Sequence, residues 1–155
     1  MKTVALSAGL FATLMLSGCS GLIKTHAVSE VQAGKVPAER LYAYQTPQDG
    51  YVPVTIIRDS GMMGSACFLS IEINKKLAAR FDPGEGATFY VPGKVNFAVA
   101  GDPQGRGLCA IGYTPVIQHC TLDATVHNVF RLSSRQYRRP ELESLDEADK
   151  FPCDD

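Results

Sequence analysis

The chain has 155 residues, with 15 Lys and Arg against 16 Asp and Glu for a formal net charge of −1, and is 45% hydrophobic and 20% charged. Those values are ordinary for a globular body and imply neither nucleic acid nor a strongly acidic partner. The 137 residues after Gly18 make one domain's worth of chain, so no second domain is expected.

Met1 and Lys2 lead into an apolar segment from Val4 to Leu16, followed by Leu16-Ser17-Gly18-Cys19. A basic start, a short apolar core and small residues before a cut are the features of an export signal. A run of about 13 residues is short of the roughly 20 needed to span a bilayer. The tetrad resembles the bacterial lipobox, in which the cysteine sulfur takes a diacylglyceryl group before cleavage. By that resemblance residues 1–18 are a lipoprotein signal peptide and Cys19 is the lipidated first residue of the mature chain. A diacyl thioether with an N-acyl chain holds a membrane far more firmly than the single acyl chain that binds marginally, at about 0.8 kcal/mol per buried methylene. Ser20 stands where an Asp favours inner-membrane retention in lipoproteins. The resemblance therefore implies the periplasmic face of the outer membrane, with the inner membrane second.

Residues 19–50 read as an acylated tether rich in Ser, Thr, Gln, Gly and Pro. Within it, Val36 to Tyr44 suit either a short helix with Pro37 in its first turn, docked on the body through Leu41 and Tyr44, or an extended arm along a sheet.

From Tyr51 onward short alternating runs replace the tether, and residues 51–155 are expected to form the folded body. Val52, Val54 and Ile56 recur at period two; Cys67, Leu69, Ile71 and Ile73 share a face; Ala87, Phe89 and Val91 do so, and so do Val95, Phe97 and Val99. Turn residues at Asp59-Ser60-Gly61, Asn74-Lys75-Lys76, Asp82 to Gly86 and Pro92-Gly93 separate these runs, and 51–101 reads as a meander. Residues 117–127 read as one strand, with Cys120, Leu122, Ala124 and Val126 inward and His119, Thr121, Asp123, Thr125 and His127 outward. Phe130 and Leu132 continue in a last strand. Pro140 to Phe151 read as a short helix, because Pro140 opens it, Glu141 and Glu143 sit in its first turn, and Leu142 and Leu145 share a face. The pattern predicts a mainly β fold: a small antiparallel β-sandwich of about seven strands, preceded by signal peptide and tether, with a short C-terminal helix.

Apart from Cys19, the cysteines are Cys67, Cys109, Cys120 and Cys153. Four in an exported chain favour two disulfides, with three pairings open, and an 11-residue separation makes Cys109–Cys120 the local choice. Spacings of 42, 11 and 33 contain no metal-ligand pair, so neither a metal nor a cofactor is expected.

Candidate chemistry is sparse. His119, Asp123 and His127 share a face, but along one strand the two histidines stand on the order of 25 Å apart, too far to share a metal or a proton. Gly101 to Gly107 lacks the Gly-Lys-Ser/Thr ending of a phosphate loop and reads as a turn. Arg131, Arg135, Arg138 and Arg139 are followed by acidic residues and read as solvated or internally paired. Met62 and Met63, flanked by glycines, form a candidate interaction loop. No enzyme is predicted. The expectation is an envelope lipoprotein acting as a structural or protein-interaction module with an envelope protein as partner; the alternative is a small-ligand or inhibitor-type module using loops 59–66 and 101–107.

Arg58 to Cys67, Lys76 to Arg80, Pro83-Gly84-Glu85, Phe89 to Gly93 and Gly107-Leu108-Cys109 resemble a little-characterised group of proteobacterial and prophage lipoproteins with small transthyretin-like or immunoglobulin-like β domains. The resemblance spans about a third of the chain. It implies the pairing Cys67–Cys109 and leaves Cys120 with Cys153. The first hairpin of such domains often carries Asp-Gly-Lys, from which Asn74-Lys75-Lys76 departs.

Overall fold

The structure, a computed structural model, describes residues 25–61, 67–102, 115–133, 140–144 and 153–154. Among them are ten strands: β1 (Gly34–Lys35), β2 (Tyr51–Arg58), β3 (Phe68–Ile73), β4 (Lys76–Phe81), β5 (Glu85–Pro92), β6 (Lys94–Asp102), β7 (Val116–Thr121), β8 (Asn128–Ser133), β9 (Glu141–Ser144) and β10 (Cys153–Asp154). They form two five-stranded sheets, ordered β1-β5-β2-β8-β9 and β10-β7-β6-β3-β4. The predicted mainly β, sandwich-like architecture is what the chain adopts.

The alternating residues meet between the sheets. Val54, Ile56, Phe89, Val91, Phe130 and Leu132 face Ile71, Ile73, Phe81, Phe97 and Val99, all essentially inaccessible. Phe81 meets Phe89 edge-on at 6.2 Å and Phe97 meets Phe130 at 6.1 Å, each pair joining one sheet to the other.

Three expectations need correcting. Residues 51–101 are not a meander, because β2 and β5 lie in one sheet while β3, β4 and β6 lie in the other. Alternation reports which side of a strand is apolar, and in a sandwich both sheets read alike. The antiparallel rule also has exceptions, since β2–β8 and β1–β5 are parallel pairs. Second, 117–127 is not one strand. β7 ends at Thr121, and Asp123 then accepts bonds from the Thr125 amide (2.8 Å) and hydroxyl (2.7 Å). This side-chain turn competes with the ladder; Leu122 stays buried while Val126 is 52% exposed. Third, 141–144 is a strand where a helix was expected. β9 pairs with β8 through Leu132↔Leu142, and the tertiary partner outweighs the weak helical signal of Pro140 and the acidic residues. The rest of the expected helix, 145–151, lies outside the described residues.

The two open sides of the sandwich are closed differently. On one, buried Gln118 of β7 donates to the Leu142 carbonyl (3.1 Å) and accepts from the Leu142 amide (2.9 Å), acting across the sheets as a strand would. The Cys120–Cys153 disulfide adds β10 to the same edge. On the other side the second half of the expected tether forms a strap. Its short helix is a 3-10 turn, Ala38–Arg40, after Pro37. The strap leaves β1, bridges to β4 at Leu41↔Ala79, and returns to β5 where Tyr44 accepts from the Tyr90 amide (2.9 Å). Val36 enters the core, and Leu41 and Tyr44 pack against it as expected. Arg40 clamps the strap: it donates to Glu85 (2.7 Å) and to the Arg80 carbonyl (3.2 Å), and lies 5.0 Å over the Phe68 ring. The Glu85 carboxylate holds the Arg40 pKa above its ordinary value.

Candidate binding cleft

An open cleft of about 410 Å³ lies on the outer face of the first sheet, within the size range of small-ligand sites. Its position follows from strand parity. Phe89 and Val91 point inward, so Thr88 and Tyr90 point outward, beside Thr55 and Ile57 of β2. The hydroxyls of Thr55 and Thr88, opposite one another in the register, are 3.0 Å apart and form a polar floor. The turn carrying Glu30 and Ala33 forms one wall, and Lys35, Leu41 and Gln45 belong to the strap.

Gly86 permits this arrangement. A Cβ there would lie 3.2 Å from the Ala33 Cβ and 3.2 Å from the Ile57 Cγ1, so any side chain would press the turn a few tenths of an ångström away from the sheet. The turn is held at both ends: His26 exchanges backbone bonds with Ser60 (2.8 and 3.0 Å), and Gly34 donates to the Gly84 carbonyl (2.9 Å). Between them Glu30 lies 3.5 Å from His127, an exposed contact of little energetic weight.

A second polar group sits at the end of β2. Asp59, 2% exposed in its side chain, accepts two bonds from Arg131, which also reaches Glu143 at 3.3 Å. The hydrogen bonds that Arg131 donates to the Asp59 carboxylate hold its pKa above its ordinary value. Arg58, also buried, donates to the carbonyls of Cys67 (2.7 Å) and Phe81 (2.6 Å) and so ties β2 to the opposite sheet. Burial pushes its pKa down to about 10, against the opposing pull of Asp82, Glu85 and Asp59, and it remains a cation at neutral pH.

The structure does not bring the histidines together. His119 Nδ1 contacts Asn96 Oδ1 at 2.6 Å on the second sheet, His127 faces Glu30, and Asp123 is used by its own turn. No group of three metal-ligating side chains occurs among the described residues. Arg131 is internally paired, while Arg135, Arg138 and Arg139 lie outside the described residues. So do Met62, Met63, Cys19, Cys109 and 103–107; Gly101 and Asp102 end β6. Cys120 and Cys153 are bonded to each other, which excludes the local pairing Cys109–Cys120, and Cys67 is also disulfide-bonded. Sequence reasoning missed the cleft. Its floor was legible as the outward parity of Thr55, Thr88 and Tyr90, but the strap that walls it carries no periodic signal.

Fold and cleft define a disulfide-linked β-sandwich whose strap bounds an open surface cleft of mixed polar and apolar lining. The chain matches no family model, no curated protein and no solved structure.

Proposed function

We propose that this chain is a membrane-anchored bacterial envelope lipoprotein with a non-catalytic structural or protein-interaction role, held on the periplasmic face of the outer membrane. The observation that carries the reading is Leu16-Ser17-Gly18-Cys19 after a basic start and a short apolar run. The disulfides at Cys120–Cys153 and at Cys67 support it, because such bonds persist in oxidising compartments. By the lipoprotein resemblance, Cys109 is the partner of Cys67. The separate engagements of His119, Asp123 and His127 favour a binding role over a catalytic one, and Met62 and Met63 are the proposed contact loop for an envelope partner.

Intact mass spectrometry of membrane-extracted protein tests the anchor: the expected species begins at a triacylated Cys19, and an unprocessed chain refutes it. Cys19→Ser should move the protein to the soluble periplasmic fraction. Met62→Ser with Met63→Ser should abolish crosslinking to the partner while leaving the melting temperature unchanged; loss of the fold would instead place both residues in the core.

A further inference from the structure

The edge of β5 is paired on both flanks and open between them. On its outer side Gly86 accepts from the Val36 amide (3.2 Å), and Tyr90 donates to the Tyr44 carbonyl (2.9 Å). Alternate residues of a strand turn their backbone groups to the same side, so the N–H and C=O of Thr88 face this edge too. Thr88 is exposed, and no backbone partner for either group occurs among the described residues. The reason lies in the strap: Pro37 and the 3-10 turn carry the chain away to β4 and return it only at Tyr44. The gap opens into the cleft, whose lining includes Val36, Leu41, Gln45, Thr88 and Tyr90.

We propose that the cleft binds a short extended peptide, one residue of which exchanges two backbone hydrogen bonds with Thr88. An unpaired N–H and C=O on the same residue are complementary to the C=O and N–H of one extended amino-acyl residue. Length is limited by the flanks. From Gly86 to Tyr90 the strand advances about 13 Å, room for about three residues, and Val36 and Tyr44 block a strand running through. Lys35 and Glu30, both on the walls, offer one cation and one anion to the charged groups of a free peptide. Thr55, Thr88 and Gln45 offer hydroxyl and amide groups to its side chains. This site goes beyond the envelope-interaction reading and does not depend on the anchor or the Met62 loop.

Amide exchange of the full-length, detergent-extracted chain, followed by NMR, tests it. In the free protein the Thr88 amide should exchange at least about tenfold faster than those of Phe89 and Val91, which face β2. The probe is an equimolar mixture of free tripeptides Ala-Xaa-Ala, and at ten times its Kd it should slow Thr88 exchange about tenfold. The same mixture methylated on the central nitrogen should have no effect. Equal protection of Thr88 and Phe89 in the free chain, no response at about 10 mM tripeptide, or an equal response to the methylated mixture overturns the proposal. Thr88→Pro, at an edge position whose N–H is not used by the fold, should stay folded with a melting temperature lowered only by loss of the Thr55–Thr88 hydroxyl contact, and lose the response read at the Gln45 side-chain amide. If that variant fails to fold, Gln45→Trp, which fills the wall from an exposed position, should lose the response read at Thr88. A response surviving in the folded variant refutes the site. Membrane fractionation of Cys19→Ser reads the anchor separately, so the two ideas fail independently.

Discussion

Gln118→Leu isolates the bridge that closes one side of the sandwich. Leucine nearly matches the volume of glutamine but leaves the Leu142 N–H and C=O, both now satisfied by Gln118, without their partner in a buried site. An unsatisfied buried group costs about 1–3 kcal/mol, and the added apolar surface of leucine returns about 1 kcal/mol. With two groups affected, the net loss is about 1–5 kcal/mol. With an unfolding entropy near 2.1 cal/mol/K per residue, a body of this size loses roughly 3–18 °C in Tm. Urea denaturation in oxidising buffer is the assay, and the midpoint should fall with the slope unchanged. Exchange of the Leu142 amide should speed up more than that of Phe97. A loss below about 0.5 kcal/mol, the usual range of surface substitutions, would refute the reasoning by showing that Leu142 finds other partners.

Arg131→Ala leaves the Asp59 carboxylate buried without its two donors and should cost about 3–5 kcal/mol by urea denaturation, whereas replacing both residues by Leu should restore most of it. Asn74 and Lys75 both have positive φ (49° and 67°) in the two-residue β3–β4 turn, so Lys75→Gly should stabilise by about 0.5–1 kcal/mol in the same assay. Cys120→Ala with Cys153→Ala removes a cross-link of sequence separation 33 and should cost about 3–4 kcal/mol, read against the wild type in non-reducing urea. The Asp123 carboxyl is held below its ordinary pKa first by the Thr125 amide and then by its hydroxyl. Its contribution to stability is therefore complete above the unfolded-state value and fades as pH falls through the folded one. Thr125→Ala should raise the carboxyl titration midpoint by NMR, and an unmoved midpoint refutes that assignment.

Much of the core was legible because alternation is a local property. Val54, Ile56, Ile71, Phe89, Phe97 and Cys120 all face inward as read. The assignment of strands to sheets was not, since β2 takes partners 29 to 41 and 74 residues away and neither leaves a local mark. β9 was misread because four residues give too short a window for period two to outweigh Pro140 and the acidic pair. The end of β7 was in principle readable, for Asp123-Ala124-Thr125 is a side-chain turn signal that the apparent alternation of Leu122, Ala124 and Val126 masked. The strap was half legible: Pro37, Leu41 and Tyr44 were recognised as a docking segment, while their crossing between β5 and β4 depends on edges the sequence does not mark.

The parallel pairing of β2 with β8 governs the order in which the molecule can fold. β2 is the central strand of its sheet, and its second neighbour, Asn128–Ser133, is reached only after five intervening strands. Until those residues arrive, Val52, Val54, Ile56 and Ile57 belong to a strand with one edge unpaired, which is the form most prone to join another chain. So high a contact order places folding in the millisecond-to-second range characteristic of all-β domains, after local hairpins such as β3–β4 have formed. The Asp59 amide bond to the Leu132 carbonyl (3.0 Å) and the Asp59–Arg131 ion pair join the two late partners just beyond β2. The step that buries this charge pair therefore also removes the exposed edge, coupling the escape from aggregation to docking of β8.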